Sequence, residues 1–97
     1  MRIEAWQWDE GNLWKAEAHG YAPRTVEEVT GGKPKFRANL RGRAATHQMI
    51  GPAADGRMWT FCVLEIQEGL WRAVTGWPST GKEETWYNSP AEGGTSI

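Results

Sequence analysis

Residues 58 to 66, MWTFCVLEI, constrain this chain more than any other stretch, because apolar side chains fill both alternating faces and only Thr60 and Glu65 interrupt them. A run of that kind predicts a central strand buried on both sides. The flanking sequence supplies its neighbours. Residues 44 to 51 can extend, and the Asp55-Gly56 pair that follows makes the tight reversal of a hairpin. Residues 67 to 69 turn the chain into a further strand over 70 to 77. Near the start, residues 2 to 8, RIEAWQW, alternate as a first strand, with Glu4, Trp6 and Trp8 on one side.

Two helices are predicted between the first strand and this hairpin. Asp9 offers an N-cap for about ten residues ending at His19-Gly20, where glycine is the usual stop. Pro23 suits the first turn of a second, shorter helix; Thr25 to Glu28 has capping-box spacing, Val26 and Val29 form one apolar stripe, and Gly31-Gly32 ends it. Residues 33 to 43 hold no sustained period and are broken by Pro34 and Gly42, which predicts a loop plus a short or edge strand. After Trp77, residues 78 to 80 start a last short helix through Tyr87, and residues 89 to 97 read as a frayed tail. The order β-α-α-β-β-β-α gives a small α+β fold, two N-terminal helices packed on a small antiparallel sheet, as one domain over residues 1 to 88.

Charge is strongly segregated. The net charge is −3 over residues 1 to 28, +5 over 29 to 54 and −3 over 55 to 97, although the whole chain carries only −1. The middle segment contains Lys33, Lys35, Arg37, Arg41 and Arg43 and no acid. A local field of one sign concentrates ligands of the other, with nucleic acid the first candidate and an acidic protein surface the second. A solvated loop of crowded positive charge is the plain structural alternative. Asp9, Glu10 and Glu17 of the first helix could also pack on this segment and neutralise it.

The 97 residues include seven tryptophans, too many large indoles for so small an interior. Trp6, Trp8, Trp59 and Trp71 are assigned to the core, leaving Trp14, Trp77 and Trp86 for a partner surface. Cys62, the one cysteine, lies in the apolar run and reads as a small core residue of a reducing compartment. No stretch approaches the roughly 20 apolar residues that cross a bilayer, and the N-terminus lacks a signal-peptide core, so a cytoplasmic protein is expected, with no membrane partner.

The chemistry this leaves is narrow. His19 and His47 are far apart with no ligand at metal-binding spacing, so no metal and no cofactor is expected. Nucleotide-binding glycine loops and a nucleophile elbow are both missing from the sequence. His19, beside a glycine at a helix end, reads first as a partner of the helix dipole. RNA cleavage is permitted, because the RNA's own 2′-hydroxyl is the nucleophile and the protein need only align it, stabilise charge on phosphorus and move protons. Arg72, a charge on a stripe with Leu70 and Val74, is the candidate for that charge stabilisation. Its structural alternative is a paired arginine, with Glu65 as the partner.

Trp8-Asp9-Glu10-x-Asn12, His19-Gly20, Val26-Glu27-Glu28-Val29, Ile50-Gly51-Pro52, Asp55-Gly56-Arg57, Arg72-x-Val74-Thr75 and Glu83-x-x-x-Tyr87 follow one another in an order that resembles the BrnT family of toxins from bacterial toxin–antitoxin pairs. The resemblance spans residues 6 to 87. It implies a RelE-like ribonuclease fold, metal-independent cleavage of RNA that inhibits translation and growth, and neutralisation by a ribbon-helix-helix antitoxin. By position it implies a catalytic set of Lys15, His19, Arg72, Glu83 and Tyr87, with Lys33, Lys35, Arg37, Arg41 and Arg43 as RNA-binding residues. The pattern departs where the family's strand motif commonly runs Arg-x-Ile-Ser/Thr-Ala-Arg: here it reads Arg72-Ala73-Val74-Thr75-Gly76-Trp77, and an indole cannot stabilise an oxyanion as a guanidinium does. Two accounts absorb that loss. The basic segment takes over the phosphate contacts, or the scaffold has become an interaction module that binds protein or RNA without cutting. Direct operator binding comes last, since the two helices are acidic and form no helix-turn-helix.

Overall fold

The computed structural model describes residues 2 to 40 and 44 to 90, so Arg41, Arg43 and the tail from residue 91 lie outside the described residues. The chain forms β1 (Ala5–Gln7), α1 (Glu10–His19), α2 (Pro23–Gly31), β2 (Lys35–Ala38), β3 (His47–Pro52), β4 (Met58–Gln67), β5 (Leu70–Pro78) and α3 (Gly81–Asn88). This is the α+β fold with two helices preceding a sheet. The basic segment supplies one strand beyond the predicted order, β2, as the short edge strand its breakers allowed.

The five strands lie in the order β1-β5-β4-β3-β2. As the doubly apolar run requires, β4 is the central strand, and Trp59, Thr60, Phe61, Cys62 and Val63 are all buried. Four strands form an antiparallel ladder, whereas β1 pairs with β5 in parallel, so the sheet is mixed rather than wholly antiparallel. The parallel pair follows from the crossover: α1, α2 and three strands separate β1 from β5, leaving no hairpin to reverse direction.

Each helix starts and stops for a local reason. The Asp9 carboxylate accepts from the Asn12 N–H at 3.2 Å while the Asn12 side chain accepts from the Asp9 N–H at 2.8 Å, and Gly20 ends α1 in the left-handed region at φ 85°. In α2, Thr25 belongs to the first turn instead of capping it: its hydroxyl accepts from the Ala22 N–H at 3.2 Å, and Glu28 accepts from Ala54 instead of closing a capping box. Thr80 caps α3 by accepting from the Glu83 N–H.

Ala16 of α1 and Val26 and Val29 of α2 pack on Met49, Phe61, Val63, Trp71 and Ala73 in one core. Trp59 and Trp71 are buried as predicted, while Trp6 and Trp8 are partly buried against the core's rim. Because side chains alternate along a strand, Thr60, Cys62 and Leu64 face the other side, and α3 covers part of that second face. The double burial of β4 is thus achieved by two helices on one face and a third on the other.

Candidate functional site

The Trp8-Asp9-Glu10-x-Asn12 stretch is a joint between three elements. Asn12 is 2% exposed, and its amide donates to the Gln7 carbonyl of β1 at 2.9 Å and to the Ala73 carbonyl of β5 at 3.3 Å. Arg72 closes the joint from β5. Its Nη1 donates to Asp9 Oδ2 at 2.7 Å and to Gln7 Oε1 at 3.1 Å, and its Nη2 donates to Asp9 Oδ1 at 3.1 Å. The arginine is therefore paired, but with Asp9 and not with Glu65, whose carboxylate accepts from the Gly69 N–H at the β4–β5 turn. Hydrogen bonding from Arg72, then from the Asn12 N–H, holds the Asp9 carboxyl at about 2, well below its ordinary value. The fork geometry of guanidinium on carboxylate makes the contact bidentate.

A second cluster surrounds Glu83, which is 5% exposed. Its carboxylate accepts from the Thr60 hydroxyl at 2.9 Å, the Trp77 indole N–H at 3.0 Å and the Thr80 N–H at 2.8 Å. Burial alone would raise this carboxyl's pKa; the hydrogen bonds, led by that from the Thr80 backbone, outweigh it and lower the pKa below the ordinary value. Trp77, which stands where the motif resemblance expects a second arginine, thus spends its one donor on Glu83.

The described part of the basic segment is anchored beside α3. Lys35 Nζ donates to the carbonyls of Tyr87 and Ser89 at 2.6 and 3.2 Å, where the helix C-terminus offers unpaired oxygens. The Tyr87 hydroxyl donates back to the Lys33 carbonyl. Arg37 Nε donates to Gln48 Oε1 at 2.8 Å, and its guanidinium lies 4.8 Å from the Trp86 ring centre. Ion pairs among the described residues join Arg2 to Glu4, Arg24 to Glu28 and Arg72 to Asp9; none involves Lys33, Lys35 or Arg37. Among the described residues no ion pair joins Asp9, Glu10 or Glu17 to Lys33, Lys35 or Arg37.

These placements divide the residues implied by the resemblance. Arg72, Arg37, Lys35, Glu83 and Tyr87 belong to the face that α3 covers, since Lys35 pairs with Ile50 and Ile50 with Thr60, Arg37 pairs with Gln48 and Gln48 with Cys62, and Leu64 pairs with Arg72. Lys15 and His19 are exposed on α1, in the helical layer on the opposite face. Of the three tryptophans assigned to a partner surface, Trp14 is 70% exposed, whereas Trp77 and Trp86 are engaged with Glu83 and Arg37. Sequence reading passed over Gln7, Asp9, Asn12 and Thr60 as the groups that hold Arg72, the strands and Glu83. Only the Asp9-x-x-Asn12 spacing carried a signal, as a cap; the reach across the fold to Arg72 has none.

Among the described residues no three His, Cys, Asp or Glu side chains gather where they could hold a metal ion, and no helix is long and apolar enough to cross a membrane. Comparison with models of known protein families, with curated proteins and with solved structures gave no match for this chain.

Proposed function

We propose that this chain is a toxin-like protein of a toxin–antitoxin pair, a BrnT-like, RelE-like endoribonuclease that acts in the cytoplasm without a metal and inhibits translation and growth. One observation carries the reading: Lys35, Arg37 and Arg72 lie on one sheet face, and no carboxylate among the described residues neutralises Lys33, Lys35 or Arg37. Such a face attracts an RNA backbone, whose phosphates bind cations in proportion to the contacts made. In the cleavage step the 2′-hydroxyl gives up its proton and bonds to the adjacent phosphorus while the bond from phosphorus to the 5′-oxygen breaks, the 5′-oxygen leaving as a protonated hydroxyl and a 2′,3′-cyclic phosphate remaining. Arg72 stabilises the added charge by exchanging Asp9 for a phosphate oxygen. Glu83 and Tyr87, which the resemblance also implies, lie on the same face as Arg72, whereas Lys15 and His19 lie in the helical layer opposite. A ribbon-helix-helix antitoxin neutralises the protein, and exposed Trp14 is a contact for that partner.

A second reading rests on a different observation. Arg72, Glu83 and Tyr87 are all committed to bonds within the fold, which suits a diverged module that binds protein or RNA without cleavage.

Sequencing of RNA ends after brief induced expression separates the two, with Arg72→Ala as the control and circular dichroism to establish that the variant is folded. New ends that vanish in Arg72→Ala support the nuclease. Growth inhibition without new ends supports binding alone, and neither effect from folded protein removes the toxin reading.

A further inference from the structure

The sheet has two edges, and they differ in protection. β1 spans only three residues, which limits any strand that could add to it. β2 spans four, and its pairing continues through the Asn39 N–H to the Thr46 carbonyl at 2.9 Å. Across the next turn the Ala53 N–H donates to the Arg57 carbonyl at 2.9 Å, which fixes the alternation of β3: His47, Met49 and Gly51 bond toward β4, Gln48 and Ile50 toward β2. Lys35 and Arg37, opposite Ile50 and Gln48, therefore use their backbone groups on the β3 ladder. The N–H and C=O groups of Phe36 and Ala38 point outward, along an edge that no other strand among the described residues pairs with.

Charged side chains usually guard such an edge. Here the guards are turned aside. Lys35 reaches over to the end of α3 and Arg37 lies on Gln48 and Trp86, so both extend across the sheet face. Just past the strand, Leu40 is 92% exposed, and with Arg37, Ala38 and Gln48 it lines a hollow of about 200 Å3. An open ladder beside an apolar side chain in water suits a strand that docks by main-chain pairing and places one apolar residue beside Leu40. Charge selects the kind of strand. Residues 29 to 54 contain no acid, and a second copy of β2 would set Lys35 and Arg37 against their own equivalents.

We propose that the outer edge of β2 is a strand-addition site for an extended, acidic segment of a partner protein. Main-chain bonds to Phe36 and Ala38 supply the pairing, the positive field of Lys33, Lys35 and Arg37 favours an acidic segment without direct ion pairs at the edge, and the hollow beside Leu40 takes an apolar anchor. The site does not depend on RNA cleavage.

Amide hydrogen exchange of the whole chain tests it, with a synthetic peptide of about eight residues, the length of an ordinary strand, alternating Glu and Val and ending in Leu. The peptide with Lys in place of Glu and an RNA oligonucleotide are run in parallel. The acidic peptide is expected to slow exchange at Phe36 and Ala38 by about tenfold or more, and the Lys peptide to leave it unchanged. Ala38→Pro removes an outward N–H at an edge position that tolerates proline, and abolishes the protection. Leu40→Ser, at an exposed position, keeps the fold and weakens binding. No protection with the acidic peptide at about millimolar concentration overturns the proposal. So does protection that persists in both variants, or protection given by the oligonucleotide and not by the peptide.

Discussion

The guanidinium of Arg72 grips both carboxylate oxygens of Asp9, at 2.7 and 3.1 Å, while Asp9 caps the first turn of α1. One arginine thereby fastens a central-sheet strand to the N-terminal helix. Its partner's titration gives the contact a pH signature. The Asp9 pKa is lowered from 3.8 to about 2 in the fold, so the stabilisation is complete above pH 3.8 and is lost as pH falls toward 2. Thermal melts from pH 5 to pH 2 should show an acid-side fall in Tm that is shallower in Asp9→Asn. Equal acid limbs in the two proteins would exclude the contact as a source of stability.

Glu83 makes a different prediction, because three donors converge on a buried carboxylate. Glu83→Gln keeps the shape, and its amide oxygen can keep the Thr60, Thr80 and Trp77 donors that meet at Oε1, but the charge is lost and the NH2 that replaces Oε2 faces the Trp77 N–H. It should lower stability by about 1–3 kcal/mol, read from denaturant midpoints. An unchanged midpoint would free Glu83 from its structural duty and strengthen its place in a catalytic set.

Gly76 is fixed by its neighbour. A Cβ at this position would lie 2.3 Å from Phe61 Cδ1 and 2.7 Å from Cε1, inside the core and against a ring with nowhere to go. Gly76→Ala should therefore cost about 1–3 kcal/mol or more, and Phe61→Leu in the same chain should recover part of it. Strict additivity of the two changes would show that the ring is not the obstacle.

RNA binding, as proposed, should weaken steeply with salt. Each phosphate contact on a single strand contributes a slope of about −0.7 in log K against log salt, so replacing Lys33, Lys35 and Arg37 by Ala should reduce the slope by about 2. A slope that the triple variant leaves unchanged would place the RNA elsewhere on the protein.

Periodicity and punctuation carried most of the fold. The doubly apolar run placed β4 at the centre, Asp9 and Gly20 bounded α1, and Asp55-Gly56 turned the β3–β4 hairpin, all of them local signals. The parallel β1–β5 pair was not legible, because nothing in residues 2 to 8 records which later strand they will join. Thr25 misled only as a cap: Pro23 does open α2, but capping-box spacing is common, and Thr25 and Glu28 accept from Ala22 and Ala54 and not from each other's backbone. The site was less legible than the fold. Arg72 could be read as paired, but its partner lies 63 residues away, and Glu65, the apparent choice on the preceding strand, was taken by the backbone of the turn.

The parallel β1–β5 pair has a consequence for the order in which the molecule can be assembled during synthesis. β1 leaves the ribosome before every other strand of this sheet, yet the strand it joins ends at Pro78, and Arg72 on that strand holds the cap of α1. Through most of translation α1 and α2 have no sheet to cover, and the early part of the chain waits for the late part. A product cut short before β5 carries every cation of the basic segment but has neither a placed first strand nor a latched first helix. The sheet takes in its first strand only once β5 has been made.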